Sequence, residues 1–425
     1  MIHSPTAVKR WDQHNYRMGI LRAAFDQLGM ALAHPSLVLA TFVHTLGGSN
    51  TLVGLLGPLR FGGWLLPQVL VASWIQPLPR KLPYCIALAV IRGLCYAFMG
   101  AAVVLIPRTD LLLAMFFALF LISRLAGGSG AVARWDVIGK IVPPDRRNAF
   151  FSQSSFWGGA LAFVAGFLVR YVLDERHTWS FRFNYTLLFF LAFTSFGLGA
   201  MVFFQVHEPV LTDGRDQASG FARLLREASH LLQRDRRYRR FLVVLALLGM
   251  ARIANPFYVV FAQEVLQTPV AMTGSYLSAL ALASTLSNLL WNRMGSWTGV
   301  RFVHLAATLT LLAPISALVI PAMGLPVASL LGTRDDLRGF LFGLVFLFMG
   351  FANSSTSIAK KVYLLEISPS RERAIYLGVI NTVLGFVNFL PILGGLIADW
   401  FGFRPVFLLA TGMVFLGLLA SWRLK

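Results

Sequence analysis

Four arginines, Arg60, Arg92, Arg124 and Arg252, lie inside long apolar stretches of this chain, and no aspartate or glutamate falls at the middle of any such stretch. A guanidinium taken out of water needs a counter-charge or several acceptors. It also offers a planar fork that matches a carboxylate or a phosphate. Arginines without an internal partner therefore point to an anionic ligand. Arg124 and Arg252 are nearest the middle of their stretches and lead the candidates, whereas Arg92, about two turns from one end, reads as a side chain that snorkels toward water.

Neutral polar residues at similar depth extend the candidate lining. They are Thr41, His44 and Thr45 in the first stretch, Asn255 beside Arg252, Asn353, Ser354, Ser355 and Ser357 in the tenth, and Asn381 and Asn388 in the eleventh. Hydroxyls in membrane helices more often bond their own backbone or a neighbouring helix than a ligand. His44 is a candidate coupling site for a proton, against the plainer reading of a helix-to-helix hydrogen bond.

The elements that must hold these residues are apolar runs of about twenty residues, the length that spans a bilayer as a helix. Twelve are expected, over about 29–49, 51–76, 84–106, 111–133, 151–173, 185–206, 241–262, 274–292, 302–322, 339–359, 374–397 and 405–422. Pro58, Pro67, Pro256, Pro314 and Pro391 interrupt them and mark bend points. The predicted fold is all-α and integral to the membrane. It comprises a cytoplasmic segment 1–28, a six-helix bundle 29–206, an Arg-rich linker 207–240 and a second six-helix bundle 241–425. Within the linker, Phe221, Leu224, Leu225, Ala228, Leu231 and Leu232 share one helical face, so an amphipathic helix on the inner leaflet is predicted.

A composition of 57% hydrophobic and 13% charged residues, with a mean hydropathy of +0.68, fits no soluble domain. The N-terminal residues carry Asp12, Arg17, Arg22 and Asp26 where a cleavable signal has an apolar core, so the first span is the expected membrane signal. Lys and Arg are divided 26 to 6 between alternate connections, which places both termini in the cytoplasm of a multi-pass cell-membrane protein. The net charge of +19 then lines one membrane face, where it meets anionic lipid, and nucleic acid is not an expected partner.

Enzyme signatures are absent or misplaced. Gly128-Ser129-Gly130-Ala131-Val132-Ala133 matches a relaxed dinucleotide pattern, but it sits inside an apolar span and reads as close helix packing. No phosphate-binding loop for ATP occurs. Cys85 and Cys95, the only two cysteines, have no partners at metal-ligand spacing. No cofactor or metal is expected, and no enzymatic activity.

The two halves repeat. Pro144-Asp145-Arg146-Arg147-Asn148-Ala149-Phe150-Phe151 and Pro369-Ser370-Arg371-Glu372-Arg373-Ala374-Ile375-Tyr376 both follow a fourth span of their half, in register. Arg146 and Arg371 are the expected gating residues, donating to carbonyls at helix C-termini or to nearby acids. The second and eighth spans also end alike, in Pro79-Arg80-Lys81 and Gly299-Val300-Arg301.

With twelve spans in two sixes, termini inside and a long central loop, the chain resembles the major facilitator superfamily over nearly its whole length. Arg124-Leu125-Ala126-Gly127-Gly128-Ser129-Gly130 resembles the family's motif on the fourth helix. The loop from Asn292 to Arg301 resembles its hairpin motif at Gly299 and Arg301, although Ser296 stands where the family has aspartate. The first copy, near Gln76 to Lys81, also lacks that aspartate, which counts against the salt-bridge latch it serves in relatives. The glycine-proline motif of drug antiporters is missing between Trp157 and Gly166. The resemblance implies transport by alternating access, with the fourth and seventh helices at a central cavity and Arg80, Gly299 and Arg301 in loops that govern opening.

The resulting reading is a monomeric secondary active transporter of a small organic solute, anionic more than cationic. Two other readings stand beside it: efflux of amphipathic compounds, suited by the 13% aromatic content, and a non-transporting sensor or scaffold on the same fold.

Overall fold

In the computed structural model the described residues are 5–75, 78–209, 231–294, 297–323, 337–369 and 373–424, with side chains described from Gln13 onward except at 66, 69, 70, 72, 73, 292, 373 and 374. The linker's expected surface helix falls mainly outside them, as do Arg371 and Ser296. Helices and turns account for all regular structure among the described residues.

The order is α1 (Pro5–Leu32), a π turn (Pro35–Leu39), α2 (Ala40–Thr45), α3 (Asn50–Ile75), α4 (Leu82–Leu105), α5 (Thr109–Ile141), a 3-10 turn (Pro144–Arg146), α6 (Arg147–Val172) and α7 (Phe181–Phe204). After the linker come α8 (Arg236–Gly249), a 3-10 turn (Met250–Ile253), α9 (Phe257–Glu264), α10 (Met272–Arg293), α11 (Gly299–Ala322), α12 (Leu337–Ile367), α13 (Arg373–Val387), α14 (Leu390–Phe401) and α15 (Phe403–Ser421). Local chemistry sets the breaks. Ser180 caps α7 by accepting from the Phe183 N–H, and Asp235 caps α8 through the Tyr238 N–H at 2.9 Å, each satisfying a donor that helix geometry leaves free. Pro256 has no N–H, so the chain tightens into the 3-10 turn before it, with the Asn255 N–H on the Arg252 carbonyl at 3.3 Å. Gly402, at φ 80°, takes a left-handed bend between α14 and α15 that a side chain would strain.

Ten helical stretches among the described residues are long and apolar enough to cross a bilayer. The first covers Gln13–Thr45, so the span expected to start at 29 begins some four turns earlier. Arg17, Arg22 and Asp26 depress the hydropathy of that stretch and hide its start. At the places of the second and eighth expected spans stand α3, of 26 residues, and α10, of 22. A run of hydroxyls and an amide from Thr273 to Asn288 makes α10 the more polar of the two. Several of those hydroxyls are absorbed locally: Ser284 donates to the Leu280 carbonyl and Thr285 to the Ala281 carbonyl, both at 2.8 Å. The backbone bonding reading of membrane Ser and Thr holds there.

The described residues group into two compact units. One takes in the chain up to Leu46, then Leu59 to Glu208 and the neighbouring Pro209, and Thr273–Ser278; the other takes in Gly47–Pro58, the chain from Leu231 to Met272, and Ala279 onward. The division therefore passes through α3 and α10 as well as the linker. In the first unit Ile20, Cys85, Val137, Phe150 and Phe203 belong to one buried cluster; in the second, Tyr238, Phe241, Val303, Ala306, Tyr363 and Val414 do. Large apolar residues also stand exposed along the helices, among them Leu105 at 75% and Phe204 at 71%. In water such a surface would be costly, and against lipid tails it is the ordinary condition.

Candidate functional site

Arg22 and Asp26 are one turn apart on α1. Arg92 comes from α4, Arg124 and Arg134 come from α5, and all five line a cavity of about 470 Å³ in the first unit. Gly63 on α3 makes room for Arg124, since a Cβ there would stand 2.8 Å from that of Arg124. Asp26 lies 3.8 Å from Arg22, 3.8 Å from Arg92 and 3.6 Å from Arg134. Aromatic faces support two of the cations: the Arg22 guanidinium is 4.0 Å from the Phe203 ring centre and that of Arg92 is 3.9 Å from Phe196. Arg124 donates from Nη1 to the Met30 sulfur at 3.2 Å, a weak acceptor.

The arginines at 22, 92 and 124 are 5%, 8% and 7% exposed. Even so, Nε and Nη1 of Arg22, Nε of Arg92 and Nε of Arg124 have no hydrogen-bond partner. Two expectations change here. Arg92 does not snorkel away but turns into the cavity, because Asp26 and the Phe196 face hold it. A carboxylate is also present within a membrane-length helix: Asp26 lies inside the Gln13–Thr45 stretch.

The second unit has its own polar cavity, of about 260 Å³, lined by Arg252, Asn255, Asn353, Thr356, Ser357 and Lys360 among others. Arg252 stands on the tightened turn ahead of Pro256, donating to the Asn388 side-chain oxygen at 2.9 Å and the Leu384 carbonyl at 3.4 Å. No carboxylate lines this cavity. Lys360 was hidden for the same reason as Asp26: it lies just past the apolar core of its span, yet α12 continues to Ile367.

A family model described as Major Facilitator Superfamily matches residues 21–386. The chain belongs to the major facilitator superfamily. No protein of curated function matches it in sequence. Its fold is similar to that of the nucleoside transporter NupG, at 15% identity over 96% of this chain and 99% of that one, with a TM-score of 0.66. It is also similar to a POT family transporter in complex with 5-aminolevulinic acid, at 12% identity over 96% and 94% of the chains and a TM-score of 0.66. A bacterial homolog of the human lysosomal transporter Spinster matches at 12% identity over 99% and 98%, with a TM-score of 0.63.

The remaining candidates of this superfamily chain are placed elsewhere. Thr41 is fully buried and its hydroxyl pairs with that of Thr273 at 3.3 Å. Thr45 donates to the Thr41 carbonyl at 2.9 Å, and His44, nearby at the end of α2, lines neither cavity. Ser354 donates to Asn288 at 2.7 Å, and Asn381 is exposed on α13. Arg124, Arg252, Asn255, Asn353 and Ser357 are thus the predicted residues that reach a cavity. Arg22, Asp26, Arg134 and Lys360 are the ones that reading apolar stretches missed.

The loop residues are arranged differently from expectation. Arg146, Arg80 and Arg301 are exposed. The bonds to helix C-terminal carbonyls expected of Arg146 are made by Arg147, to Gly139 at 3.0 Å and Val142 at 3.3 Å. Arg147 opens α6 and points back along α5, whereas Arg146 ends the 3-10 turn, exposed. Three acids meet the residues that follow these loops. Glu208 accepts the N–H groups of Lys81 and Leu82, both at 2.8 Å by Oε2, and Asp136 meets the Lys81 amino group at 3.0 Å. In the second half Glu366 accepts the Gly299 N–H at 2.7 Å, and a Cβ on residue 299 would press on the Tyr363 backbone at 2.5 Å. Gly299 is thus a close-approach position.

Proposed function

We propose that this chain is a secondary active transporter that carries a small organic anion across the membrane by alternating access, a carrier and not an enzyme. Arg22, Arg92 and Arg124 support this most directly. Their four dehydrated guanidinium nitrogens have no acceptor and share one cavity with one carboxylate. Buried donors left without acceptors are costly, and a ligand with negatively charged oxygens removes that cost on binding. The second cavity, with Arg252 and Lys360 and no acid, is of the same sign.

Binding to the purified full chain tests the proposal. In a thermal-shift screen, organic anions should stabilise it and lipophilic cations should not, because a ligand that binds only the folded state raises stability with its concentration. Arg124→Gln should weaken anion binding by about 1.5–3 kcal/mol, the worth of a hydrogen bond to a charged group. Arg124→Lys should retain part of it, losing the planar fork. Unchanged affinity in Arg124→Gln and Arg252→Gln together would overturn the anion proposal and favour amphipathic efflux.

The 26 to 6 division of basic residues supports an orientation with both termini in the cytoplasm. A reporter fused after Lys425 or inserted near Gly214 should then read inside, and one near Gly332 outside. Opposite readings at Gly214 and Lys425 would exclude an even number of spans between them.

A further inference from the structure

Resting on the anion reading above, we infer that the cavity of the first unit takes a dianionic head group, of the phosphate monoester class, on a flat apolar body, and that this group displaces Asp26 from the arginines. The charge count is the first ground. Four guanidinium groups, of Arg22, Arg92, Arg124 and Arg134, and one carboxylate line the cavity, a formal excess of three positive charges. A monoanion leaves two of these uncompensated in a buried site, and a dianion leaves one.

Donor geometry is the second. Asp26 sits 3.6–3.8 Å from its three cations, well beyond the roughly 2.7–2.9 Å of a charge-assisted hydrogen bond. It offsets one of their charges and leaves Nε and Nη1 of Arg22 and Nε of Arg92 without an acceptor, and Nε of Arg124 has none either. A planar carboxylate brings two oxygens, whereas a phosphate monoester brings three terminal oxygens and close to two charges at neutral pH. A second charge costs more to take out of water. Here the donors are already dehydrated and fixed, so the ligand alone is desolvated on binding.

Competition with Asp26 is the third. Asp26 is tethered, so its effective concentration at the arginines is high. A free monocarboxylate offers nothing that Asp26 does not already supply, and the exchange gains little. A dianion offers the second charge and the third oxygen. The remaining walls include Trp64, Trp135, Phe150 and Phe151, with the Trp135 and Phe151 rings 5.5 Å apart. Such faces suit a flat apolar body, and the volume is within the usual range for small-molecule sites.

Three ring-bearing probes separate charge from shape: phenyl phosphate, a dianion at pH 8; phenyl sulfate, a monoanion with the same three terminal oxygens; and benzoate, a planar monoanion. Against the full chain in phosphatidylcholine nanodiscs, phenyl phosphate should bind at least tenfold tighter than either of the others. Asp26→Asn should tighten phenyl phosphate and phenyl sulfate alike by several-fold, since the tethered competitor is gone. Equal binding of sulfate and phosphate would overturn the dianion assignment while leaving the anion reading intact. Failure of all three probes, with binding of a lipophilic cation instead, would overturn both. Weaker or unchanged binding in Asp26→Asn would remove Asp26 from the displaced position. Loss of phenyl phosphate binding when phosphatidic acid is added to the nanodiscs would reassign the cavity to a lipid head group. If the Asp26 variant does not fold, the comparison of probes on the unaltered chain still decides the charge preference.

Discussion

Gly128→Ala should leave little folded protein, whereas Gly139→Ala, three turns along the same helix, should be tolerated or slightly stabilising. A Cβ at residue 128 would overlap the Trp64 carbonyl oxygen and stand 2.8 Å from its carbon. The obstacle is backbone of α3, which cannot rotate aside as a side chain can. Over-packing in a tight core costs about 1–3 kcal/mol and occasionally more, and an overlap with backbone belongs at the upper end. A Cβ at residue 139 would meet nothing within 4 Å, so alanine there gains about 0.5–1 kcal/mol of helix propensity. Monodisperse yield and unfolding temperature of the two variants check the contrast. Equal behaviour would mean that α3 and α5 do not approach as closely as the Gly128 contact requires.

That contact also resolves the dinucleotide-like pattern at Gly128 to Ala133. It lies wholly within α5, and its first glycine lets two helices touch, as small residues do in membranes. The helical class, the helix breaks at Pro256 and Pro391 and the Arg-bearing fourth and seventh segments are legible in the sequence because each follows from a local rule of period, length or missing N–H. Pro58, Pro67 and Pro314, expected to interrupt their spans, instead lie within continuous α3 and α11. Sites at helix ends are not legible. Hydropathy finds a span by averaging, so it trims the charged turns where Arg22, Asp26 and Lys360 stand. Those turns are still helix, and their side chains point into the cavities. The pairing of acids with particular N-termini is likewise invisible. Glu208 reads as linker and Asp399 as a helix end, yet Asp399 accepts the N–H of Asn50 at 2.8 Å and of Thr51 at 3.0 Å, at the start of α3, across some 350 residues of sequence.

Glu208→Ala should destabilise the first unit more than any single loss among the exposed loop arginines. Lys81, at the N-cap of α4, gives no side-chain cap of its own, so the carboxylate of Glu208 is what the first N–H groups and the helix dipole meet. The same carboxylate lies 3.1 Å from the Lys140 amino group, with side-chain exposures of 2% and 7%. Removing one member of a buried pair costs about 3–5 kcal/mol. Asp136 also holds Lys140, at 3.0 Å, so the lower end is expected. Glu208→Gln keeps an acceptor for α4 but removes the charge and should fall between. Adding Lys140→Met to Glu208→Gln should recover part of the loss, since the unpaired cation leaves with its partner. Unfolding of the purified single and double variants gives the coupling energy directly. A Glu208→Ala variant as stable as the parent would show that Asp136 alone secures this end of the first unit, and that the N-terminus of α4 needs no distant cap.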